Sequence, residues 1–451
     1  MGKLLAIVLA AGKGTRMKSR FPKVIHKVCG NPMAEWVRRA AVSSGADDVL
    51  FVIGSGADAV KTELGNECDY VVQEEQLGTG HAVKICEDKF KGYENILILS
   101  GDTPLITAEM LTAAYERHIE RGNSATVVSA VAENPYGYGR IIKKGSQLAG
   151  IVEEKDASAG EQQINEINSG IYFFRVEDLA GVIGKVDNKN AQGEYYLTDT
   201  IHLLLEDGKQ LGTYIANHEE ILGVNDLVQL HKSQKIMNQR ITEMHMRNGV
   251  TFIDADSTYI GADVSIGADT IIHPQTSLEG STIIGENVVI RQSRVVDSEI
   301  GDDCEINNSV ILESTVGINV KMGPFAFVRP NSHIGNNIKI GDFVEIKNST
   351  IGNGSKVPHL SYIGDADVGS GVNIGCGTIA VNYDGQVKHR THINDHVFVG
   401  CNANLVAPVE LGEGCFIAAG STITKNVPEN SLGIARAHQV NKENWRRKSN
   451  K

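Results

Sequence analysis

Residues 259–272 read Tyr259-Ile260-Gly261-Ala262-Asp263-Val264-Ser265-Ile266-Gly267-Ala268-Asp269-Thr270-Ile271-Ile272. An aliphatic residue returns every six positions, and the series continues through Leu278, Ile284, Ile290 and Val296. Ile-Gly pairs recur at 300–301, 334–335, 340–341, 363–364 and 374–375, and the register resumes at Ile393, Val399, Leu405, Leu411, Ile417 and Ile423. A period of six fits neither the 3.6 of a helix nor the heptad of a coiled coil. Ile and Val far outnumber Leu in this region, which favours strand. Hexads imply a parallel β-helix, each repeat supplying one inward aliphatic and a glycine-containing turn. Of the 48 glycines among 451 residues, 21 fall within 250–427, many of them in these turns. The segment Val381-Asn382-Tyr383-Asp384-Gly385-Gln386-Val387-Lys388-His389-Arg390 fits no hexad and is expected to project as a loop.

Upstream the pattern differs. Short apolar runs at Leu4–Leu9, Asp48–Ile53, Tyr70–Val72, Asn95–Leu99, Ala125–Val131 and Gly170–Phe174 alternate with helical stretches such as Ala34–Ser44 and Ala108–Arg121. This alternation predicts an α/β domain over residues 1–226 with a Rossmann-like, mostly parallel sheet, whose ligands sit beyond the carboxyl ends of the strands. Leu227, Leu230, Met237, Ile241 and Met244 then recur at helical spacing before Asn248-Gly249, predicting a linker helix over 227–249 with a C-cap. The β-helix and a basic tail, Asn444-Trp445-Arg446-Arg447-Lys448, make up 250–451.

Lys plus Arg number 43 against 55 Asp plus Glu, a net charge of −12. An acidic chain with no broad basic stripe argues against a nucleic-acid or anionic-membrane partner. The seven cysteines are odd in number and never in CxxC spacing, which argues against a disulfide framework or zinc site and predicts a reducing cytosol. No stretch approaches the ~20 apolar residues of a membrane span. Lys3 before Leu4–Ala11 is a weak leader-peptide signal; a buried parallel strand explains it better.

Leu9-Ala10-Ala11-Gly12-Lys13-Gly14-Thr15-Arg16-Met17, followed by Pro22-Lys23, is a strand feeding a Gly-rich loop with two cations attached. Such a loop suits phosphate: backbone approaches closely and Arg16 and Lys23 neutralise charge. It matches neither GxxxxGK[ST] nor GxGxxG. Gln73 and Gln76-Leu77-Gly78-Thr79-Gly80 follow a strand; a Gln amide with neighbouring backbone groups can match the edge of uracil, or the segment is a polar turn. Asp102, ending Leu97-Ile98-Leu99-Ser100-Gly101-Asp102, is placed either for Mg²⁺ bound with substrate phosphates or for an Asx-turn or cap near Thr107. Asn225 precedes the linker helix and reads first as part of its N-cap. Glu153 and Asn168 abut apolar runs, as sugar contacts or as strand-edge polars.

The motifs LAAGKGTRM…PK, QLGTGHA, SGD, YGYGRI, IVEEKD, EINSG, NAQGEYYLTD and GVN resemble those of sugar-phosphate nucleotidyltransferases. Together with RP, VEIKN, HLSYIGD, NIGCGT and NYDG, the whole chain resembles the bacterial bifunctional N-acetylglucosamine-1-phosphate uridylyltransferase / glucosamine-1-phosphate N-acetyltransferase family. The resemblance implies a left-handed β-helix, a homotrimer with acetyltransferase sites between subunits, and UDP-N-acetylglucosamine synthesis in the cytoplasm for peptidoglycan. In its first half it implies uridylyl transfer from UTP to N-acetylglucosamine 1-phosphate. Leu9, Ala10, Ala11, Gly12, Gly14, Arg16 and Lys23 match its phosphate-binding positions, and Gln73, Gly78 and Thr79 its uracil site. Asp102 and Asn225 match its Mg²⁺ ligands, against the capping reading of Asn225, and Gly139, Glu153 and Asn168 its sugar contacts.

In the second half the resemblance implies acetyl transfer from acetyl-CoA to glucosamine 1-phosphate. The amine must be neutral to attack, so a general base is required, and His suits neutral pH. His359 matches that base; Arg329, Lys347, Tyr362 and Asn373 match the sugar-phosphate contacts; Asn382, Tyr383, Ala419 and Arg436 match acetyl-CoA contacts. Cys376 and Cys401 stand near the coenzyme where small Ala- or Ser-like residues are expected, so contact there is through backbone, or Cys401 is an alkylation-sensitive thiol. Arg446, Arg447 and Lys448 read as a solvated tail or as partners of coenzyme A phosphates. The rival readings are another sugar-nucleotide pyrophosphorylase with a structural β-helix, such as one making ADP-glucose, and a non-catalytic scaffold. The His359 motif and the Asn382 loop argue against the first. The intact set Arg16, Lys23, Asp102, Asn225, Arg329, Lys347 and His359 argues against the second.

Overall fold

The computed structural model describes residues 2–145, 147–443 and Trp445. The chain forms two compact units, Met1–Met237 and Asn238–Lys451.

Among the described residues the main sheet of the first unit has nine strands: β1 (Leu4–Ala10), β2 (Asp48–Ile53), β3 (Asp69–Val72), β4 (Asn95–Ser100), β5 (Ala125–Val131), β6 (Arg140–Lys144), β7 (Gln147–Val152), β8 (Glu166–Arg175) and β9 (Leu211–Ile215). Their order is β9-β5-β8-β4-β1-β2-β3, with the β6–β7 hairpin attached to β8. β1 lies between β4 and β2, parallel to both, so it is covered on each face. Leu4, Ala6, Val8 and Ala10 join one core with Val37 and Leu111; Leu5 and Ile7 join the other with Val83, Leu179 and Ile201. A strand buried on both faces must be apolar at every position. That accounts for the apolar run Leu4–Ala10.

The sheet is less parallel than expected at one side. β8 runs antiparallel to both β4 and β5, and the β6–β7 hairpin and β9 carry no clear sequence signal. β1, β2, β3 and β4 are mutually parallel, so Ala11, Gly54, Gln73 and Gly101 emerge at one edge.

The long helix spans Leu227–Arg247, and the division between the units falls within it. Gly249 ends it at φ 92°, with Val250 N donating to His245 O at 3.1 Å. This is the expected left-handed C-cap.

The second unit is a left-handed parallel β-helix whose described strands form three parallel sheets of 11, 10 and 9 members. Ile260, Leu278, Val295, Ile311, Val328, Ile346 and Ile363 stack down one face. The expected sixth-position register fails at Val296: Val295 is fully buried and Val296 is not. Several repeats here have five residues, so Ile290 pairs with Ile306 instead of a residue eighteen further on. The shortened repeats carry Ser293, Ser298, Ser309 and Ser314, each donating its hydroxyl to the carbonyl two residues earlier. Corners are turned by left-handed residues, among them Asn287, Asp303, Asn308 and Asn319, types that tolerate positive φ. Residues 383–388 form an exposed loop, closed by an antiparallel bridge from Tyr383 to Lys388.

Candidate functional sites in the two units

At the carboxyl edge of β1–β4 lies a cavity of about 310 Å³ lined by Leu9, Ala10, Ala11, Gly12, Lys23, Gln73, Gly78, Thr79 and Asp102, all expected from the sequence. Gln76, Ser100 and Glu194 also line it. Gly14 is not in its wall. It stands at φ 59°, and a Cβ there would come 2.6 Å from Lys23 Cβ. Glycine at 14 therefore lets the loop close onto Lys23.

The Lys23 ammonium is ion-paired with Asp102 Oδ2 and donates to Asn225 Oδ1 at 3.2 Å. Arg16 Nη2 donates to the same Asn225 oxygen at 2.8 Å. The competing capping assignments fall away. Asp226, not Asn225, caps the long helix by accepting from Gln229 N at 2.9 Å. Thr107 caps its own helix through Met110 N, leaving Asp102 free of that task. Val224 N donates to Asp102 O at 2.9 Å, which brings Asn225 to the end of β4.

The Gln73 side chain is buried, with Nε2 3.2 Å from Gly78 O and 3.0 Å from His81 Nδ1. Gly78 sits at φ 115°, where a Cβ would lie 2.5 Å from Tyr195 O. Thr79 Oγ1 accepts from Leu197 N at 3.0 Å. Gly139, Glu153 and Asn168 form a separate group. Asn168 N donates to Gly139 O at 2.8 Å, and Thr198 Oγ1 donates to Glu153 Oε1 at 3.2 Å. Burial pushes the Glu153 carboxyl above its ordinary value, with nearby Asp199, Asp156 and Glu194 adding to the effect.

In the β-helix, His359 Nδ1 is 2.5 Å from Asp342 Oδ1, and the hydrogen bond holds the Asp342 carboxyl below its ordinary value. Around the next corner, Lys347 Nζ is 3.5 Å from Asp365 Oδ2, which also accepts from Asn382 Nδ2. Asn382 Nδ2 in turn lies 3.4 Å from Tyr362 Oη. Arg329 N donates to Ile346 O, so Arg329 stands one coil above Lys347, and its guanidinium donates to Glu345 at 2.9 Å. Lys388, on the projecting loop, reaches Lys347. The contact, with Arg329 close by, pushes the Lys388 ammonium below its ordinary value. Three cations thus gather beside Tyr362 and Asn382.

Cys376, Cys401 and Ala419 occupy equivalent corners of successive coils: Asn402 N donates to Cys376 O at 2.7 Å and Gly420 N to Cys401 O at 2.8 Å. Arg436 joins this column by donating to Ala419 O at 2.8 Å. Cys401 is exposed and Cys376 half-buried. Tyr383 is exposed on the loop. Asn373 lies on the same sheet as the His359 strand, one coil on, paired with Phe398. Arg446, Arg447 and Lys448 lie outside the described residues.

Sequence reading passed over His81, Asp342, Asp365 and Lys388. Asp342 precedes His359 by one coil and Asp365 precedes Asn382 likewise, so counting back one coil from each predicted residue would have found them. Lys388 carries no such signal, because its position depends on how the loop folds back.

Fold and sites define a two-part transferase, a nucleotidyltransferase unit followed by a hexapeptide-repeat unit. The family described as Nucleotidyl transferase matches residues 5–234, and Bacterial transferase hexapeptide (six repeats) matches residues 390–425. The chain is 54% identical over 447 residues to the Bifunctional protein GlmU of Caldanaerobacter subterraneus subsp. tengcongensis, covering 99% of this chain and 98% of that one. It is 51% identical to the Bifunctional protein GlmU of Acetivibrio thermocellus, covering 98% and 97%, and 51% identical to that of Clostridioides difficile, covering 99% and 98%. The chain belongs to the bifunctional GlmU family, enzymes that join a uridylyltransferase to an acetyltransferase.

Proposed function

We propose that residues 250–451 transfer the acetyl group of acetyl-CoA to the amine of glucosamine 1-phosphate. Residues 1–226, joined to them through the 227–249 helix, then transfer uridylyl from UTP to the resulting N-acetylglucosamine 1-phosphate, releasing pyrophosphate. The observation that carries this reading is that each unit gathers its own set of groups: Arg16, Lys23, Asp102 and Asn225 in one, His359 and three cations in the other.

In acetyl transfer the amine nitrogen forms a bond to the acetyl carbonyl carbon, the carbon–sulfur bond breaks, and His359 accepts the amine proton. Asp342 orients the imidazole through Nδ1 and offsets the charge that develops on it. Arg329, Lys347 and Lys388 suit a phosphate dianion, with Tyr362 and Asn373 against the sugar. Asn382, Tyr383, Ala419 and Arg436, with the backbone at Cys376 and Cys401, line the coenzyme's path.

In uridylyl transfer the sugar phosphate oxygen attacks the α-phosphorus, and the bond to the β-phosphate oxygen breaks. The nucleophile is already ionised, so the work is positioning and charge stabilisation, by Arg16, Lys23 and the backbone of Leu9–Gly14. Gln73, Gly78 and Thr79 hold the uracil, and Gly139, Glu153 and Asn168 the sugar.

Asp102 and Asn225 fit Mg²⁺: their oxygens converge on one cation, the Lys23 ammonium, as hard oxygen ligands would converge on a metal. Among the described residues no group of three or more His, Cys, Asp or Glu could hold a metal, in keeping with an ion shared with substrate phosphates. Bound there, Mg²⁺ would neutralise phosphate charge.

We further propose that the chain is a homotrimer working in the cytoplasm upstream of peptidoglycan and cell-shape maintenance. Among the described residues no helix is long and apolar enough to cross a membrane. Light scattering tests the trimer. The function is tested by supplying glucosamine 1-phosphate, acetyl-CoA, UTP and Mg²⁺ and assaying free thiol, pyrophosphate and UDP-N-acetylglucosamine. All three products support the reading; pyrophosphate from N-acetylglucosamine 1-phosphate without any thiol release from glucosamine 1-phosphate would reduce the second unit to a scaffold.

A further inference from the structure

His81 belongs to no motif role assigned above, yet it touches the residue read as facing uracil. The Gln73 amide nitrogen is 3.0 Å from His81 Nδ1 and 3.2 Å from Gly78 O. Gly78 O can only accept, so the amide must present Nε2, not Oε1, to this side. An amide nitrogen carries two hydrogens and no acceptor, so the second hydrogen requires a lone pair on His81 Nδ1. This pairing selects the neutral imidazole that carries its proton on Nε2. With both hydrogens spent, all that the Gln73 amide has left to offer the nucleotide cavity it lines is the acceptor Oε1.

An acceptor at that place discriminates between pyrimidines. Uracil presents a ring N3–H donor between two carbonyls; cytosine presents a bare N3 acceptor. Oε1 accepts from the first and opposes the second. Were the amide reversed, Oε1 would face both Gly78 O and His81 Nδ1, acceptor against acceptor, so the two acceptors lock the orientation together and losing the nearer one, Nδ1, loosens it. His81 itself is held by the segment it packs on, its ring 6.3 Å from that of Tyr195, whose N donates to Leu77 O at 2.8 Å.

We infer that His81 is a positioning residue that, together with the Gly78 carbonyl, holds the orientation of the Gln73 amide and thereby sharpens the preference of the nucleotidyl site for uracil over cytosine. The inference rests on the reading of Gln73 as a base contact. A missing hydrogen-bond partner in a site built for one is strongly discriminated against.

The test compares His81→Phe, which keeps a ring beside Tyr195 but removes the acceptor, with His81→Asn, whose Oδ1 replaces Nδ1 as acceptor, and with Gln73→Ala. Steady-state pyrophosphate release is measured with UTP and with CTP at saturating N-acetylglucosamine 1-phosphate. Expected for His81→Phe is a rise of about tenfold in KM for UTP, a loss of UTP-over-CTP preference of similar size, and an unchanged KM for the sugar phosphate. His81→Asn restores both nucleotide values, and His81→Phe added to Gln73→Ala costs nothing further. If Gln73→Ala impairs UTP selection while His81→Phe does not, the inference falls and the base-contact reading stands. If Gln73→Ala has no effect, both fall. Nitrogen NMR of ¹⁵N-histidine-labelled wild-type protein at neutral pH supplies a check that needs no variant: His81 with its proton on Nε2 is expected, and a proton on Nδ1 overturns the inference.

Discussion

His359 Nδ1 lies 2.5 Å from Asp342 Oδ1, one coil earlier in the same sheet. The pairing fixes the ring through one nitrogen and leaves the other for substrate. Asp342→Asn keeps a hydrogen-bonding side chain but removes the countercharge to the imidazolium. We expect acetyl transfer to fall by about tenfold or more, and by about 10²–10⁴ in His359→Ala, where the base is gone. Pyrophosphate release in the same preparations stays at the wild-type rate; a parallel loss of both activities would point to unfolding instead.

Asp102 and Asn225 meet at Lys23 although 123 residues separate them. Removal of divalent metal with a chelator is expected to abolish pyrophosphate release and leave thiol release intact. Asp102→Ala reproduces the chelator's effect on pyrophosphate release at any Mg²⁺ concentration. Retained thiol release is the control, read on the same sample with Ellman's reagent.

Lys388 sits against Lys347, and of the two ammonium groups it is the one pushed below its ordinary value. A bound phosphate dianion would hold it protonated. As pH rises into the alkaline range, Lys388 loses its proton before Lys347, so KM for glucosamine 1-phosphate should climb. Lys388→Gln should raise that KM by about tenfold at neutral pH and flatten its alkaline rise. An unchanged KM in the variant would remove Lys388 from the phosphate site.

Gly78→Ala places a Cβ 2.5 Å from Tyr195 O at a backbone φ of 115°. Strain of this kind costs on the order of 1–3 kcal/mol. The thermal midpoint of the nucleotidyltransferase unit should drop, and KM for UTP should rise as Gln73 loses the Gly78 carbonyl it bonds. Calorimetry resolves the drop if the β-helix transition stays in place.

Glu153 has its carboxyl raised mainly by burial. A carboxyl raised on folding is easier to keep neutral in the native state, so its cost is absent below the unfolded value. That cost grows as pH rises toward the native one. Glu153→Gln should therefore stabilise the protein at neutral and alkaline pH and give no such gain at acidic pH, while uridylyl transfer weakens. Denaturant midpoints across pH measure it; an equal gain at every pH would contradict the burial argument.

The six-residue period of Ile260, Ile266 and Ile272 by itself determined the β-helix, because a coil with three equal faces must return an aliphatic to its interior at each one. The run Leu4–Ala10 and the glycines after it likewise determined a buried strand ending at a ligand edge. Spacing could not locate Val295: the five-residue repeats are turned with hydroxyls such as that of Ser293, which donates to Arg291 O and accepts from Ser309 N one coil on. Only the tertiary structure decided that Asp226, not Asn225, caps the long helix and that Lys388 folds back to Lys347. Local pattern records which face a residue must bury. Which polar atom completes a hydrogen bond can be counted off within the coil repeat, as Asp342 can from His359, but at a helix end or in a loop outside the repeat it is set by how the chain packs, and sequence separation carries no trace of it.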